Sequence, residues 1–401
     1  MIEIGDSNLV RRLKDIYPSI GADPEFFIMS IKGKKIIESN KILPKGGLLL
    51  SLDKSRCTID GVQAEINPSP RGCRQGAGEE YKRIFNKLAL ALSEKKVTMC
   101  LKSMIHFTQE ELDELSDDSK KFGCAPSINY YTNKESVITA NPDVYGHRSA
   151  GGHIHLGANE DSKLFLCIRE KPKLIIRLLD LVLGNTCVML DRDPNQKERR
   201  TVYGRAGEYR LPTHGIEYRT LSNFWIKNYH LMDMVYGFAR LGLCIAYNIF
   251  EDERNYPKTK SSFREVLKAS NKKDVQKAIN NNDFDLAKRN WDEIKHILVS
   301  MIPSTYFNRF PINVDHLDAF EHFIDKGLDY WFKDDLLTHW TERLTCIYRS
   351  GWESFLRFVV TADMENNGNI EWSIGSNGLS VVVKRPIIEM SDNNTNTGVL
   401  S

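Results

Sequence analysis

The sequence predicts an α+β fold, a strand-rich N-terminal half followed by a mostly helical C-terminal part. Three observations carry this. From Ile20 to about Asn228, short apolar runs alternate with Gly, Pro and Asn, the punctuation of strands. Within that half, Gly78 to Glu94 and Leu164 to Leu190 read as helices. From Tyr229 to about Phe358 apolar residues recur three and four apart, as in Asp274-Val-Gln-Lys-Ala-Ile and in His316-Leu-Asp-Ala-Phe-Glu-His-Phe-Ile-Asp, which is helical spacing. A last apolar run, Leu379 to Val383, precedes a small polar stretch from Ser391 that reads as a frayed tail. No Pro/Gly/Ser-rich linker separates Asn228 from Tyr229, so residues 1–228 are read as a sheet region and 229–401 as a helical part completing the same domain, with a polar tail from about 390.

Composition narrows the function. The 401 residues are 41% hydrophobic and 27% charged, ample for a large core and unlike a disordered chain. Basic and acidic side chains number 55 and 53, a net charge of +2, which gives no bulk electrostatic reason for a nucleic-acid or anionic-membrane partner. The longest apolar stretch, Leu231 to Phe250, contains Asp233 and Arg240, charges costly in lipid, so no membrane span is expected. The N-terminus lacks the basic start and apolar core of a signal peptide, and a cytoplasmic location is expected. Eight scattered cysteines form no Cys-x-x-Cys pair, so reduced thiols are expected. The basic groups Arg71 with Arg74, and Lys197, Arg199, Arg200 and Arg205, read as solvated faces.

Five short segments place polar residues two apart, hence on one face of a strand. They are Asp23-Pro-Glu25, Gln63-Ala-Glu65-Ile-Asn67 after Asp60-Gly, Gly151-Gly-His153-Ile-His155, Glu208-Tyr-Arg210, and Glu217-Tyr-Arg219. The two Glu-Tyr-Arg copies flank Leu211-Pro-Thr-His-Gly215, a stretch compatible with a hairpin loop. Assembled in one antiparallel sheet, the segments would crowd Asp23, Glu25, Glu65, His153, His155, Glu208, Arg210, Glu217 and Arg219 on a single surface. Crowded carboxylates raise one another's pKa and repel unless cations lie among them. Carboxylates with one imidazole suit Mg²⁺ or Mn²⁺, and neighbouring arginines suit phosphate.

In this order, together with Tyr203-Gly-Arg205-Ala-Gly, these segments resemble the phage-associated COOH-NH2 ligase type 2 family, amidoligases related to glutamine synthetase and glutamate-cysteine ligase. The resemblance spans roughly residues 21 to 228. It implies a glutamine-synthetase-like curved antiparallel sheet with flanking helices, binding ATP and two or three Mg²⁺ or Mn²⁺ ions. By position it implies metal ligation by Asp23, Glu25, Glu65, His153 and Glu217, nucleotide contact by His155, and phosphate or acyl-phosphate contact by Arg205, Arg210 and Arg219. Asp23 departs from the Glu-x-Glu of glutamine synthetases, so this shorter side chain is expected to reach a metal only through water. The implied reaction is ATP-dependent amide formation through an acyl phosphate, with Asp60 and Glu208 both open as the general base. The implied partners are a small-molecule or peptide carboxylate and an amine; a nucleic-acid-linked acceptor stays open, without aromatic interleaving to favour it. If the chain is phage-encoded, its location is the host cytoplasm.

An amidohydrolase with His-x-His on a barrel strand would require alternating βα units, which the helical second half lacks, and two further alternatives compete. Glu160 after His153-x-His155 imitates a cupin metal motif, although Cys167 replaces the glycine expected there and Leu164 to Leu190 reads as helix, where a barrel needs strands. A metal-binding or virion-associated protein without turnover is the other. His296, His316, His322 and His339 show only helix-face spacing and read as ordinary surface or packing residues.

Overall fold

The structure, a computed structural model, describes residues 18–50, 55–72, 74–123, 126–301, 320, 321, 324, 370–375 and 378–383. In chain order the strands are β1 (Ser19–Ala22), β2 (Glu25–Ser30), β3 (Ile36–Ile37), β4 (Leu48–Leu49), β5 (Arg56–Asp60), β6 (Gln63–Asn67), β7 (Val97–Cys100), β8 (Met104–His106), β9 (Ser127–Asn129), β10 (Lys134–Ser136), β11 (His147–Ser149), β12 (Ile154–Gly157), β13 (Glu208–Arg210), β14 (Gly215–Tyr218), β15 (Ile370–Gly375) and β16 (Gly378–Val383). The longer helices are α1 (Arg74–Glu94), α2 (Lys163–Glu170), α3 (Pro172–Leu179), α4 (Asn185–Leu190), α5 (Asn195–Val202), α6 (Tyr229–Asn255), α7 (Lys272–Asn281) and α8 (Phe284–Met301). The fold is α+β with antiparallel pairing throughout the described strands.

The single sheet of the sequence reading is two. One sheet has the order β1-β12-β14-β13-β9-β10; the other runs β3-β2-β6-β5-β4, with β7 also on β2. The chain passes from the first to the second at Asp23-Pro24. Pro24 has no N–H to give a ladder, so pairing breaks there. The Pro24 carbonyl accepts from Ile66 N at 2.9 Å, and Glu25 N donates to Gly151 O at 2.9 Å, tying the crossing to both sheets. Asp23 and Glu25 therefore do not share one strand face.

The β13–β14 hairpin forms around the 211–214 loop, with Tyr209 opposite Tyr218 and Arg210 opposite Glu217. Leu164 to Leu190 is helical but interrupted. Pro172 starts α3, and residues Asp180–Gly184 widen into a π turn. That turn aims Asp180 at the sheet, where Oδ1 accepts from Tyr218 OH at 2.7 Å and Gly207 N at 3.1 Å. Wide turns of this kind re-aim one side chain without ending the helix.

Helix α6 is buried along most of its length and packs on α3, α1 and β12, so the helices of 229–301 belong to the core that backs the sheets. Among the described residues no helix is long and apolar enough to cross a membrane. Residues 1–343 form one compact unit and 344–401 another. In the second, β15 and β16 pair from Ile370–Val383 to Gly375–Gly378, so the helical expectation for 229–401 gives way to a hairpin there, and Leu379 to Val383 is strand. The tail from about 390, and His316, His322 and His339, lie outside the described residues. His296 is exposed on α8. Cys57, Cys100, Cys167, Cys187 and Cys244 are free and buried.

Candidate active site

The junction of the two sheets gathers two three-residue clusters. In the first, ligand atoms of Asp23, His153 and Glu217 lie within 4.8 Å of one another. Asp23 arrives from the crossing, His153 from the start of β12, and Glu217 from β14, where it stands opposite His155. Asp23 Oδ1 is 3.0 Å from His153 Nδ1, and Glu217 Oε1 is 3.6 Å from the same nitrogen. Yet Asp23 Oδ1 and His153 Nδ1 are both buried and, among the described residues, make no aligned hydrogen bond. Buried polar atoms left unpaired are costly. Two carboxylates and an imidazole converging in this way have the donor set of a Mg²⁺ or Mn²⁺ site.

Charge in this cluster is ordered by its neighbours. Burial alone would raise the Asp23 carboxyl, but the close approach of the His153 and His155 rings holds it far below the usual range. Burial lowers His153 in spite of Asp23, which favours the neutral imidazole a ligand needs. Glu217 is pulled down against its burial by His153 and by Arg210. The crossing, rather than a strand face, brings the Asp23 carboxylate onto His153.

The second cluster, Glu25, Asp60 and Glu65, also has ligand atoms within 4.8 Å of one another. Glu25 on β2 is directly opposite Glu65 on β6, and Asp60 ends β5. Like charges directly across a ladder repel. Burial, then Asp23 and Asp60, push Glu65 up to about 8; burial, then Asp60, push Glu25 well up; burial, then Asp23, raise Asp60. Glu25 is fixed by Gly151 N at 2.7 Å and Gln63 Nε2 at 3.0 Å on Oε2. Room for Asp60 comes from Gly123, where a Cβ would stand 1.5 Å from Asp60 Oδ1.

Gly151 lies between the clusters. A Cβ there would stand 2.6 Å from His153 Nε2 and 3.3 Å from Glu25 Oε1, so the clusters approach each other across a residue that has no side chain. Behind them, Arg210 grips Glu217 with Nε at 2.7 Å and Nη2 at 2.5 Å, the bidentate fork of a strong pair. Arg219, buried, lies 3.3 Å from Glu217 Oε1 and donates to Tyr203 OH at 2.9 Å. The Tyr203 hydroxyl also contacts His153 Nε2. His155 Nε2 is 3.2 Å from Asp23 Oδ2 and its Nδ1 is 3.1 Å from His214 Nε2.

Other expected residues stand apart from the ligand atoms. Glu208 is buried, with Ser136 Oγ at 2.8 Å and Gly204 N at 3.1 Å on its two oxygens, and burial raises its pKa. Arg205 donates to the carbonyls of Arg200 and Thr201 at the end of α5. Arg199 and Arg200 correct the solvated-face reading: both are buried, Arg199 on the carbonyls of Thr220 and Leu221 and Arg200 on Ile279 O and Asn282 Oδ1. Arg71 is partly buried and pairs with Glu80 at 3.0 Å. The side chain of Arg74 lies outside the described residues; Lys197 is exposed. Glu160 is exposed in a turn before α2 and joins neither cluster, which removes the cupin arrangement. Sequence reasoning missed Tyr203, His214 and the glycines Gly123 and Gly151 as parts of the site. Only the Gly-Gly preceding His153 gave a signal, as a place where backbone must come close.

Fold and site together define an α+β protein with a carboxylate–histidine cluster beside an all-carboxylate cluster at a sheet junction. The model of the family described as phage phiEco32-like COOH.NH2 ligase-type 2 matches residues 129–340, just over half of the chain. The chain belongs to that COOH-NH2 ligase family. Among solved structures it is similar to a bifunctional glutathione synthetase from Pasteurella multocida (11% identity, 78% of this chain, 54% of that one, TM-score 0.37). It is also similar to a glutamine synthase homologue (11%, 79% and 72%, 0.31) and to apo GmaS (13%, 76% and 74%, 0.34). The chain thus spans about half the length of the glutathione synthetase. No curated protein matches it.

Proposed function

We propose that the protein is an ATP-dependent carboxylate–amine ligase that forms an amide through an acyl phosphate, with release of ADP and phosphate. The observation that carries this reading is the pairing of two three-ligand clusters across Gly151, set on the family assignment. Asp23, His153 and Glu217 would hold one cation, and Glu25, Asp60 and Glu65 a second. Divalent cations supply charge neutralisation for phosphate oxygens during phosphoryl transfer.

The chain's own residues do the rest. Gly151 N and Gln63 orient Glu25, and Tyr203 and Arg219 orient His153 and Glu217, the outer contacts that fix ligand geometry. On this reading Asp60 is a cation ligand rather than a free base, because it lies among Glu25 and Glu65. Glu208, engaged on both oxygens, is the remaining candidate to accept the amine's proton. His155 stands at the edge of the first cluster, where it would meet nucleotide phosphate, and Arg219 and Arg210 would add positive charge beside the acyl phosphate. Arg205, bound to α5 carbonyls beside Glu208, would reach phosphate only by releasing them.

The test is nucleotide product analysis with ATP, Mg²⁺ or Mn²⁺ and a pooled amino-acid and metabolite extract. Extract-stimulated ADP and phosphate, lost in Glu65→Ala, is the expected result. AMP and pyrophosphate would overturn the acyl-phosphate reading.

A further inference from the structure

A cavity of about 760 Å³ lies outside the two clusters, bounded by β2, β3, β7, β8, β11 and the start of α5. That volume is in the range of small-molecule sites. Its floor is apolar: Met29, Ile36, Ile105 and Leu115 are partly buried there against the core around Phe27 and Phe107. Its walls carry acids and lysines in equal number, but they are not equally free.

Each wall acid already has a partner. Glu38 accepts from Ser116 N at 2.9 Å and pairs with Lys41, and Glu114 pairs with Lys35 at 3.0 Å. Glu111 caps Thr108 N at 2.9 Å, and Asp193 accepts from Ser103 Oγ at 2.6 Å. Lys34 and Lys102 have no acidic partner among the described residues. Two cations over an apolar floor suit a ligand with an anionic end and an apolar body.

One wall leads towards the clusters. His147 lines this cavity and also a second one, of about 30 Å³, whose other walls include Glu25, Asp60, Gln63 and Tyr203. That smaller space has room for only a water-sized group or two. A primary amine head is of that size, whereas a carboxyl phosphate is not. His147 is thus the wall shared by the two spaces, and among the described residues its buried Nδ1 has no hydrogen-bond partner.

We propose that the larger cavity binds the amine substrate, a primary amine carrying an anionic group on an apolar body, with its anion towards Lys34 and Lys102 and its amine at the His147 wall. The assignment rests on the ligase reading for its chemistry. There the amine nitrogen's lone pair forms the bond to the acyl carbon of the acyl phosphate made from ATP and the carboxylate substrate. The carbon–oxygen bond to phosphate breaks, phosphate leaves with that electron pair, and the nitrogen's proton passes to a base or to water.

Binding and turnover are measured separately. Calorimetry without ATP uses as probes the free amino acids and dipeptides with free N-termini, each beside its N-acetylated and its C-terminally amidated form. At least one free, anionic-ended amine is expected to bind. Amidation of its carboxylate, or Lys34→Gln with Lys102→Gln, should weaken it about tenfold or more, the scale of a lost charge-assisted contact. No binding by any probe, or binding unchanged in the double variant, overturns the proposal. ADP release is assayed in parallel with ATP, Mn²⁺, each probe and the pooled extract, which supplies the carboxylate substrate. Probe binding that depends on the lysines without any ADP would keep the cavity and sink the ligase reading. Probe-stimulated ADP with a KM unchanged in the lysine variant would do the reverse.

Discussion

Replacing Glu65 by glutamine should make the metal-free protein more stable at neutral pH while abolishing its activity. Glu65 faces Glu25 directly across the β2–β6 ladder, and burial with Asp23 and Asp60 raises its carboxyl from 4.5 to about 8. A carboxyl raised by folding contributes most below its unfolded value, and that contribution is lost as pH rises through the folded one. At about 1.4 kcal/mol per pH unit, between 4.5 and pH 7 the wild type should lose about 3 kcal/mol from this group alone. Glutamine keeps the shape and does not titrate. Urea unfolding in EDTA at pH 5 and pH 7 measures it: the variant's advantage should grow by about 2.5 kcal/mol between the two. Added Mn²⁺ should narrow the gap, because it stabilises the wild type through both clusters and the variant through the Asp23, His153 and Glu217 cluster alone. Equal pH slopes in EDTA, or a variant less stable at pH 7, would refute the argument that Glu65 carries a like-charge penalty without a cation.

Other perturbations test neighbouring parts. His153→Ala and Glu217→Ala each remove a ligand atom from the first cluster and should lower Mn²⁺ affinity and turnover by about 100-fold or more, read by calorimetry and ADP release, with near-native circular dichroism. Gly151→Ala puts a Cβ 2.6 Å from His153 Nε2 and should weaken Mn²⁺ binding by about tenfold or more; unchanged affinity would show that the clusters are not coupled across this residue. Tyr203→Phe removes the hydroxyl shared by His153 and Arg219 and should lower Mn²⁺ affinity about tenfold, with Arg219→Lys more severe in turnover because a point charge cannot replace a fork.

Much of the site could be read from residues two apart. Glu208 and Arg210, Glu217 and Arg219, and the hairpin between them follow from strand periodicity and turn residues, which are local. The grouping of the acids was not local. Asp23 and Glu25 are two apart, yet Pro24 ends one sheet's ladder between them, so each joins a different cluster, and only the pairing of β2 with β6 brings Glu65 to Glu25. Arg199 and Arg200 illustrate the same limit. Their charges looked solvated, but carbonyls from Thr220 to Asn282 close around them once α5 docks, information held in tertiary contacts alone. Tyr203 has no periodic partner, and its role depends on the position of its hydroxyl between two distant side chains.

On the proposed function, two adjacent clusters would hold cations that bracket nucleotide phosphate. Anomalous diffraction from crystals soaked with Mn²⁺ and a non-hydrolysable ATP analogue tests it without any knowledge of the other substrates. The expected result is one Mn²⁺ ligated by Asp23, His153 and Glu217, another by Glu25, Asp60 and Glu65, and the terminal phosphate in contact with both. Manganese bound elsewhere, or both clusters empty with nucleotide present, would contradict it.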